Sequence, residues 1–433
     1  MSETNKPPRT VGTLGATLIS VNGMIGAGIF ALPALLYAQV GNFAPWLFLI
    51  FGLFYGCTIL VVARLATMFE SSGGPQLYVQ AAFGPVLGFQ VGWLMIIGAA
   101  SARAATLFVL VSYLAVFFPA LGEPLFQQLA MLALLAGLSG LTLTGMRNAV
   151  AGLVIGTIIK LAPIAAVCLV AFLRQGIVIE LHLPVFSQFG SVSLLVYFAF
   201  SGAAASAWSA GEIRDPKRTL PRTMLLSLGL IILFYMTVQW AYIAGGAPQS
   251  RGDATPLAAA AEILLGKAGV IAITIAAIFS IATNALTFFI SSPRVIFGMA
   301  ERNLIPSIFA HVSPRFLTPD FAILLFTLIV AVLTFSGTFA LLAIVLSLTS
   351  QIWTICMFGA FVKLQMTKGD HRTMGFMLVW SAIIAVGLAF ALYASSQAPL
   401  MAFELIAGLI LLGLLLAMMA RRDKTRATAQ AFD

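Results

Sequence analysis

Two cations stand deep in apolar sequence: Lys160, in Gly156-Thr157-Ile158-Ile159-Lys160-Leu161-Ala162-Pro163, and Arg103, in Ala99-Ala100-Ser101-Ala102-Arg103-Ala104-Ala105. A charge held in such a place is costly and marks function by default. A buried ammonium has two chemical uses. It can take up and release a proton during a cycle, or it can replace a sodium ion between backbone carbonyls and hydroxyls. Snorkelling to an interface is the ordinary alternative, but Lys160 lies 11 residues from Ala149, too far from the end of its segment. Arg103 admits three roles: facing a solute pathway, anchoring an anion, or pairing with carbonyls to hold two helices. Glu404 is the one carboxylate well inside an apolar segment, and it lies far along the chain.

Two glycine interruptions suggest what these cations serve. The first is Ser20-Val21-Asn22-Gly23-Met24-Ile25-Gly26-Ala27-Gly28-Ile29-Phe30, and the second Phe198-Ala199-Phe200-Ser201-Gly202-Ala203. Each sits in a stretch long enough to cross a membrane. A helix that opens there frees N–H and C=O groups that lipid cannot satisfy, so the break must face protein or a water-lined cavity. Unwinding over Gly23–Gly28 would leave a half-helix N-terminus suited to a carboxylate. The second break would offer carbonyls and N–H groups from the opposite side. An α-amino acid carries a carboxylate and an ammonium on one carbon, and paired broken spans near the bilayer midplane suit such a solute. Gly-x-Gly within a span also serves as a close-packing face between helices.

Other chemistry finds no constellation. Glu70-Ser71-Ser72-Gly73-Gly74-Pro75-Gln76-Leu77-Tyr78 lacks the Gly-Lys-Ser/Thr ending of a phosphate loop. His182, His311 and His371 are scattered without metal-ligand spacing. Cys57, Cys168 and Cys356 read as small buried hydrophobes. No nucleophile elbow, zinc motif or paired intramembrane carboxylate occurs, so neither an enzymatic activity nor a cofactor is expected. A passive channel would need a continuous polar lining, which the spans lack away from the breaks.

The elements that must position these residues follow from composition. Of 433 residues, 61% are hydrophobic and 9% charged, with a mean hydropathy of +1.05. A soluble domain carries roughly a quarter charged residues, so an all-α polytopic membrane protein is expected. Apolar windows place about twelve spans at 11–38, 44–63, 86–118, 124–143, 149–173, 190–211, 221–244, 268–292, 320–337, 340–362, 374–394 and 399–420. Twelve spans put both termini on one side, and 18 of the 23 basic residues fall there. Arg174, Arg251 and Lys267 fall on the other side. That asymmetry predicts cytoplasmic termini and accounts for the net charge of +9 without nucleic acid. Residues 1–10 are polar and the first apolar stretch outruns a signal peptide, so no cleavable signal is expected. The tryptophans at 46, 93, 208, 240, 353 and 380 fall mostly near span ends, as in an interfacial belt.

Because the glycine breaks fall in the first and sixth spans, the expected architecture is an inverted repeat of five plus five spans, over 11–173 and 190–362. Two further spans occupy 374–420, between cytoplasmic tails at 1–10 and 421–433.

Residues 11 to about 316 resemble the amino acid–polyamine–organocation permeases. The resemblance is carried by Gly26-Ala27-Gly28-Ile29-Phe30, by Ser72-Gly73-Gly74-Pro75-Gln76-Leu77-Tyr78 with Ala82-Phe83-Gly84, and by Phe198-Ala199-Phe200-Ser201-Gly202. Ala210-Gly211-Glu212-Ile213-Arg214-Asp215-Pro216-Lys217-Arg218-Thr219-Leu220-Pro221-Arg222 and the Arg294-to-Pro306 segment also match. It implies an amino-acid carrier working by alternating access in a bacterial-type inner membrane. The α-carboxylate would lie on the backbone of Ile25, Gly26, Ala27 and Gly28, and the α-amino group near Phe200, Ser201 and Gly202. Phe198 falls at the aromatic gate, and Lys160 at the lysine that replaces sodium in a sodium-independent subset. Ser280 and Thr283 are its implied partners, and Arg103 would stand close to the pocket.

One departure bears on the substrate. Arginine and polyamine carriers of that family keep an acid just after the sixth-span break, where this chain has Ala203-Ala204-Ala205. Small or apolar neutral amino acids are favoured, and Arg103 leaves an acidic substrate open. Glu212 is half of a family acidic pair, with Gly211 replacing the other. Uptake, export and exchange all fit, as do proton coupling and a monomer or homodimer.

Overall fold

The structure is a computed structural model; it describes residues 12–69, 74–144, 151–176, 183–203, 213, 215–246, 254–302, 304–335, 338–367 and 374–430. Trp208, Ala204, Ala205, Gly211, Glu212, Ser72, Gly73, His182 and His371 lie outside the described residues.

Helices occupy every expected span. The first is divided into α1 (Thr13–Met24) and α2 (Ala27–Val40). Then come α3 (Ala44–Ala66), a short α4 (Pro75–Phe83), α5 (Pro85–Ala115), α6 (Pro124–Leu143) and α7 (Ala151–Gln175). The sixth span is described as α8 (Phe186–Phe200) and the turn to Ala203. Next come α9 (Pro216–Ala244), α10 (Pro256–Ser291, kinked at Gly266 with φ +64°), a short α11 (Pro293–Glu301), α12 (Asp320–Thr334), α13 (Phe339–Thr367), α14 (Met374–Ser396) and α15 (Leu400–Gln430). Prolines begin α4, α5, α6, α9, α10 and α11, where the missing N–H costs nothing. Among the described residues, eight helical stretches are long and apolar enough to cross a membrane on their own.

Burial separates the spans into an inner and an outer set. The apolar stretch of α5 is 83% buried, against 22% for α14 and 17% for α15. The side chains left outside are leucines and their like: Leu53, Leu233, Leu328 and Leu411 are all more than half exposed. Water would not tolerate such a surface and lipid requires it. The core is a continuous apolar cluster reaching from Ala16 to Ile406.

Around α5 the packing is tight. It lies against α13, α10 and α12, while α10 also meets α7, and α3 and α1 both meet α9. Trp93 departs from the interfacial belt, since it is fully buried on α5 and its indole N–H donates to the Leu409 carbonyl of α15 at 2.6 Å. The partner helix makes room with Gly413, whose Cβ would meet the Trp93 ring. Gly413→Ala is expected to lower stability by about 1–3 kcal/mol. Thermal unfolding of the detergent-solubilised protein measures this, and an unchanged midpoint would mean that α15 repacks freely.

Candidate functional site

The first break is narrower than the glycine spacing predicts. α1 runs through Gly23 to Met24, only Ile25 and Gly26 leave the helix, and Ala27 already opens α2. The two glycines therefore do different work. Gly26 sits in the break, with Asn284 3.1 Å from where a Cβ would stand. Gly28 lies within α2 as a packing glycine, 3.4 Å from Ala199 and 3.5 Å from the Phe198 ring by the same measure. The N-terminus of α2 is buried, and no side chain caps it. The N–H groups of Ala27, Gly28 and Ile29 precede the first intrahelical bond, so they remain available to an anion.

The second break meets the first. Ser201 donates its N–H to Phe198 and Ala203 to Phe200, closing a turn around Gly202 at φ +103°. A Cβ on Gly202 would lie 2.6 Å from the carbonyl oxygen of Gly23. The carbonyl-bearing ends of α1 and α8 are thus in contact, and both are favourable for a cation. Tyr235 of α9 spans the junction. Its hydroxyl lies 2.8 Å from the Met24 carbonyl and 3.1 Å from that of Ala199, and its single proton serves one at a time.

Phe198 and Phe200 of α8 face different ways. Phe198 packs on Gly28 and, edge-on at 5.4 Å, on Phe339 at the start of α13. Phe200 is fully buried among Phe48, Tyr55 and Tyr235, turned toward α3 and α9.

Lys160 is 2% exposed on α7, and its Nζ donates to Asn22 Oδ1 of α1. Neither of its sequence-implied partners, Ser280 and Thr283, hydrogen-bonds to it. Thr283 is exposed and its hydroxyl turns back on the carbonyls of Phe279 and Ser280. Ser280 is buried, with no hydrogen-bond partner. The residue that joins α10 to the break is Asn284, one turn beyond Ser280 on the same helix face. Its Nδ2 donates to the carbonyl oxygen of Asn22 at 3.1 Å and lies 3.4 Å from that of Gly23. Arg103 closes the set, donating from Nη1 to Asn284 Oδ1 at 2.9 Å, with its guanidinium 4.1 Å from the centre of the Phe288 ring.

Asn22, Tyr235 and Asn284 were not singled out by sequence reasoning. Asparagines within apolar spans are a usable signal; Tyr235 had none, since tyrosine is common near span ends. Among the described residues, the salt bridges are Arg218–Asp215 and His311–Asp320, both outside this region. No described carboxylate pairs with Lys160 or Arg103.

A bundle of apolar helices whose two broken spans meet beside buried cations defines a polytopic membrane carrier. Residues 11–416 match the family model for amino acid permeases, and the chain belongs to that family, within the amino acid–polyamine–organocation superfamily. The match runs on through the last four spans, where sequence motifs gave out. Amino-acid transport is accordingly its class of activity. The chain is similar to the serine/threonine exchanger SteT of Bacillus subtilis, at 27% identity over 86% of this chain and 87% of that one. It also resembles an uncharacterized transporter of Mycobacterium tuberculosis, at 29% identity over 75% and 73%. A cadaverine/lysine antiporter of Escherichia coli is 28% identical over 60% and 59%.

Proposed function

We propose that the chain exchanges small neutral amino acids across a bacterial inner membrane without sodium, with both termini cytoplasmic and no enzymatic step. The observation carrying this reading is the contact of Gly202 with Gly23, which brings two carbonyl-bearing helix ends beside the uncapped N-terminus of α2. The substrate carboxylate accepts hydrogen bonds from the N–H groups of Ala27, Gly28 and Ile29. Its ammonium donates to carbonyls at the ends of α1 and α8 near Ser201 and Gly202, under Phe198. Lys160 fixes the end of α1 through Asn22, the position a sodium ion would otherwise hold.

Charge supports the choice of substrate. Two buried cations without a described carboxylate partner repel a lysine or cadaverine side chain, so cadaverine/lysine antiport fits this chain less well than exchange of serine and threonine. Exchange is favoured because two of the three relatives are an exchanger and an antiporter. Packing supports the five-plus-five repeat: α5 on α13 is mirrored by α10 on α7, and α1 on α9 by α8 on α3. Each pair maps onto the other when spans are shifted by five.

Ligand-induced stabilisation tests the substrate. Purified protein in sodium-free detergent should unfold at a higher temperature with serine, threonine or alanine, and no higher with lysine or cadaverine. Stabilisation by lysine alone would contradict the charge argument. Tyr235→Phe should keep the fold but weaken substrate binding roughly tenfold, because a buried carbonyl loses its donor at about 1–3 kcal/mol. Titration calorimetry would read this, and wild-type affinity would remove Tyr235 from the site.

A further inference from the structure

Arg103 carries a charge that the substrate contacts just described leave unused. Its side chain is 6% exposed, its Nε makes no hydrogen bond, and no described carboxylate neutralises it. Taking such a cation out of water is expensive even with the Phe288 ring against it. Stability alone gives little reason to keep it.

The reason lies in what it does to Asn284. A side-chain amide has one accepting end and one donating end, so whichever end is engaged fixes the other. Arg103 takes Oδ1, and Nδ2 then points at the carbonyls of Asn22 and Gly23 in the last turn of α1. Carbonyls of a helix's last turn have no intrahelical donor. The guanidinium therefore orients the amide, and the amide caps the half-helix. A Cβ on Gly26 would stand 3.1 Å from Asn284, so this cap closes in contact with the break itself.

We propose that Arg103 is a positioning residue of the transport cycle: acting through Asn284, it latches the end of α1 to α5 and α10. This rests on the carrier reading, in which α1 is the cytoplasmic half of the first span. The apolar stretch of α5 is 83% buried and packs on α10, so the latch is anchored on a helix held by its neighbours. Lys160 grips the Asn22 side chain from α7, whereas the latch grips backbone carbonyls. α1 swings out only when the latch opens, and Arg103 sets how often that happens.

A reporter thiol on α1 tests this in the full chain. Ser20 is fully buried and without a hydrogen-bond partner, and Ser20→Cys in a background with Cys57, Cys168 and Cys356 changed to serine gives one thiol. Proteoliposomes are treated with a membrane-impermeant maleimide at the cytoplasmic face. Arg103→Met should raise the labelling rate about tenfold, the factor that one hydrogen bond of ordinary strength gives a two-state equilibrium. Asn284→Leu should do the same, and the double variant no more than either alone. Arg103→Lys, which can still donate to Oδ1, should restore most of the protection. In transport, Arg103→Met should change the maximal rate more than half-saturation.

An unchanged labelling rate in Arg103→Met, or single effects that multiply in the double variant, would overturn the proposal. If Arg103→Met does not fold, Asn284→Asp decides. It keeps an acceptor for Arg103 but loses the donors to α1, so it must expose the reporter thiol, and protection there equally overturns the latch. Absence of amino-acid transport by the wild type would instead remove the carrier reading, while the labelling comparison would still report on the latch.

Discussion

Lys160→Ala should reduce amino-acid exchange in proteoliposomes by roughly 10- to 100-fold, the range for losing a buried hydrogen bond made by a charged group. Asn22 loses its donor from α7, and the end of α1 loses the positive charge that the carbonyl-bearing end of a half-helix favours. The loss should fall mainly on substrate affinity, because the site is assembled from backbone that α1 presents. A fixed cation and a proton carrier make different demands here. If Lys160 acts as a fixed cation, an imposed proton gradient leaves wild-type exchange unchanged. If it carries a proton, the gradient drives net uptake and Lys160→Ala abolishes that response. Wild-type exchange in Lys160→Ala would show that the lysine is an incidental passenger.

The second large effect is expected at Gly202. Gly202→Ala places a Cβ 2.6 Å from the Gly23 carbonyl oxygen at a residue with φ +103°. Both obstacles are backbone, so no side chain can rotate away. A non-glycine residue in such a conformation costs about 1–3 kcal/mol before any clash is counted. The contact between α1 and α8 must open, and transport should fall by roughly 100-fold or more, the factor that about 3 kcal/mol represents. Gly229→Ala is the matched control, since nothing lies within 4 Å of its Cβ on α9. Equal transport in the two variants would mean that the breaks need not touch. Size-exclusion profiles of both proteins separate a transport defect from a failure to fold.

Much of this arrangement was legible in the residues, for physical reasons. Lipid demands runs of about 20 apolar residues, so the spans could be placed along the chain, although α10 begins at Pro256, 12 residues before the expected 268, and α15 runs to Gln430, 10 beyond the expected 420. Charge in such runs is conspicuous, which is why Lys160 and Arg103 stood out before any contact was known. The extent of the first break was not legible. Gly23, Gly26 and Gly28 look alike in sequence, yet one lies in the last turn of α1 against Gly202, one opens the chain, and one admits Phe198. Side-chain direction was equally hidden. Ser280 and Thr283 carry the same hydroxyl chemistry and stand only about 60° apart around the helix, yet Thr283 is exposed and Ser280 buried. Asn284 completes the helix face that Ser280 begins, and only its packing against Gly26 and Arg103 reveals its part. Tyr235 illustrates a contact over 211 residues of chain to Met24, which no local pattern encodes.

On the proposed reading, two touching helix breaks form a sodium-independent amino-acid exchange site. Counterflow measures it most directly. Proteoliposomes holding the wild-type chain are preloaded with unlabelled serine or left empty, and labelled serine, threonine, alanine, glutamate and lysine are presented outside without sodium. The expected result is saturable entry of the small neutral amino acids that preloading accelerates several-fold, with lysine excluded. Entry that rises linearly with concentration and ignores preloading, or that needs sodium, would contradict it.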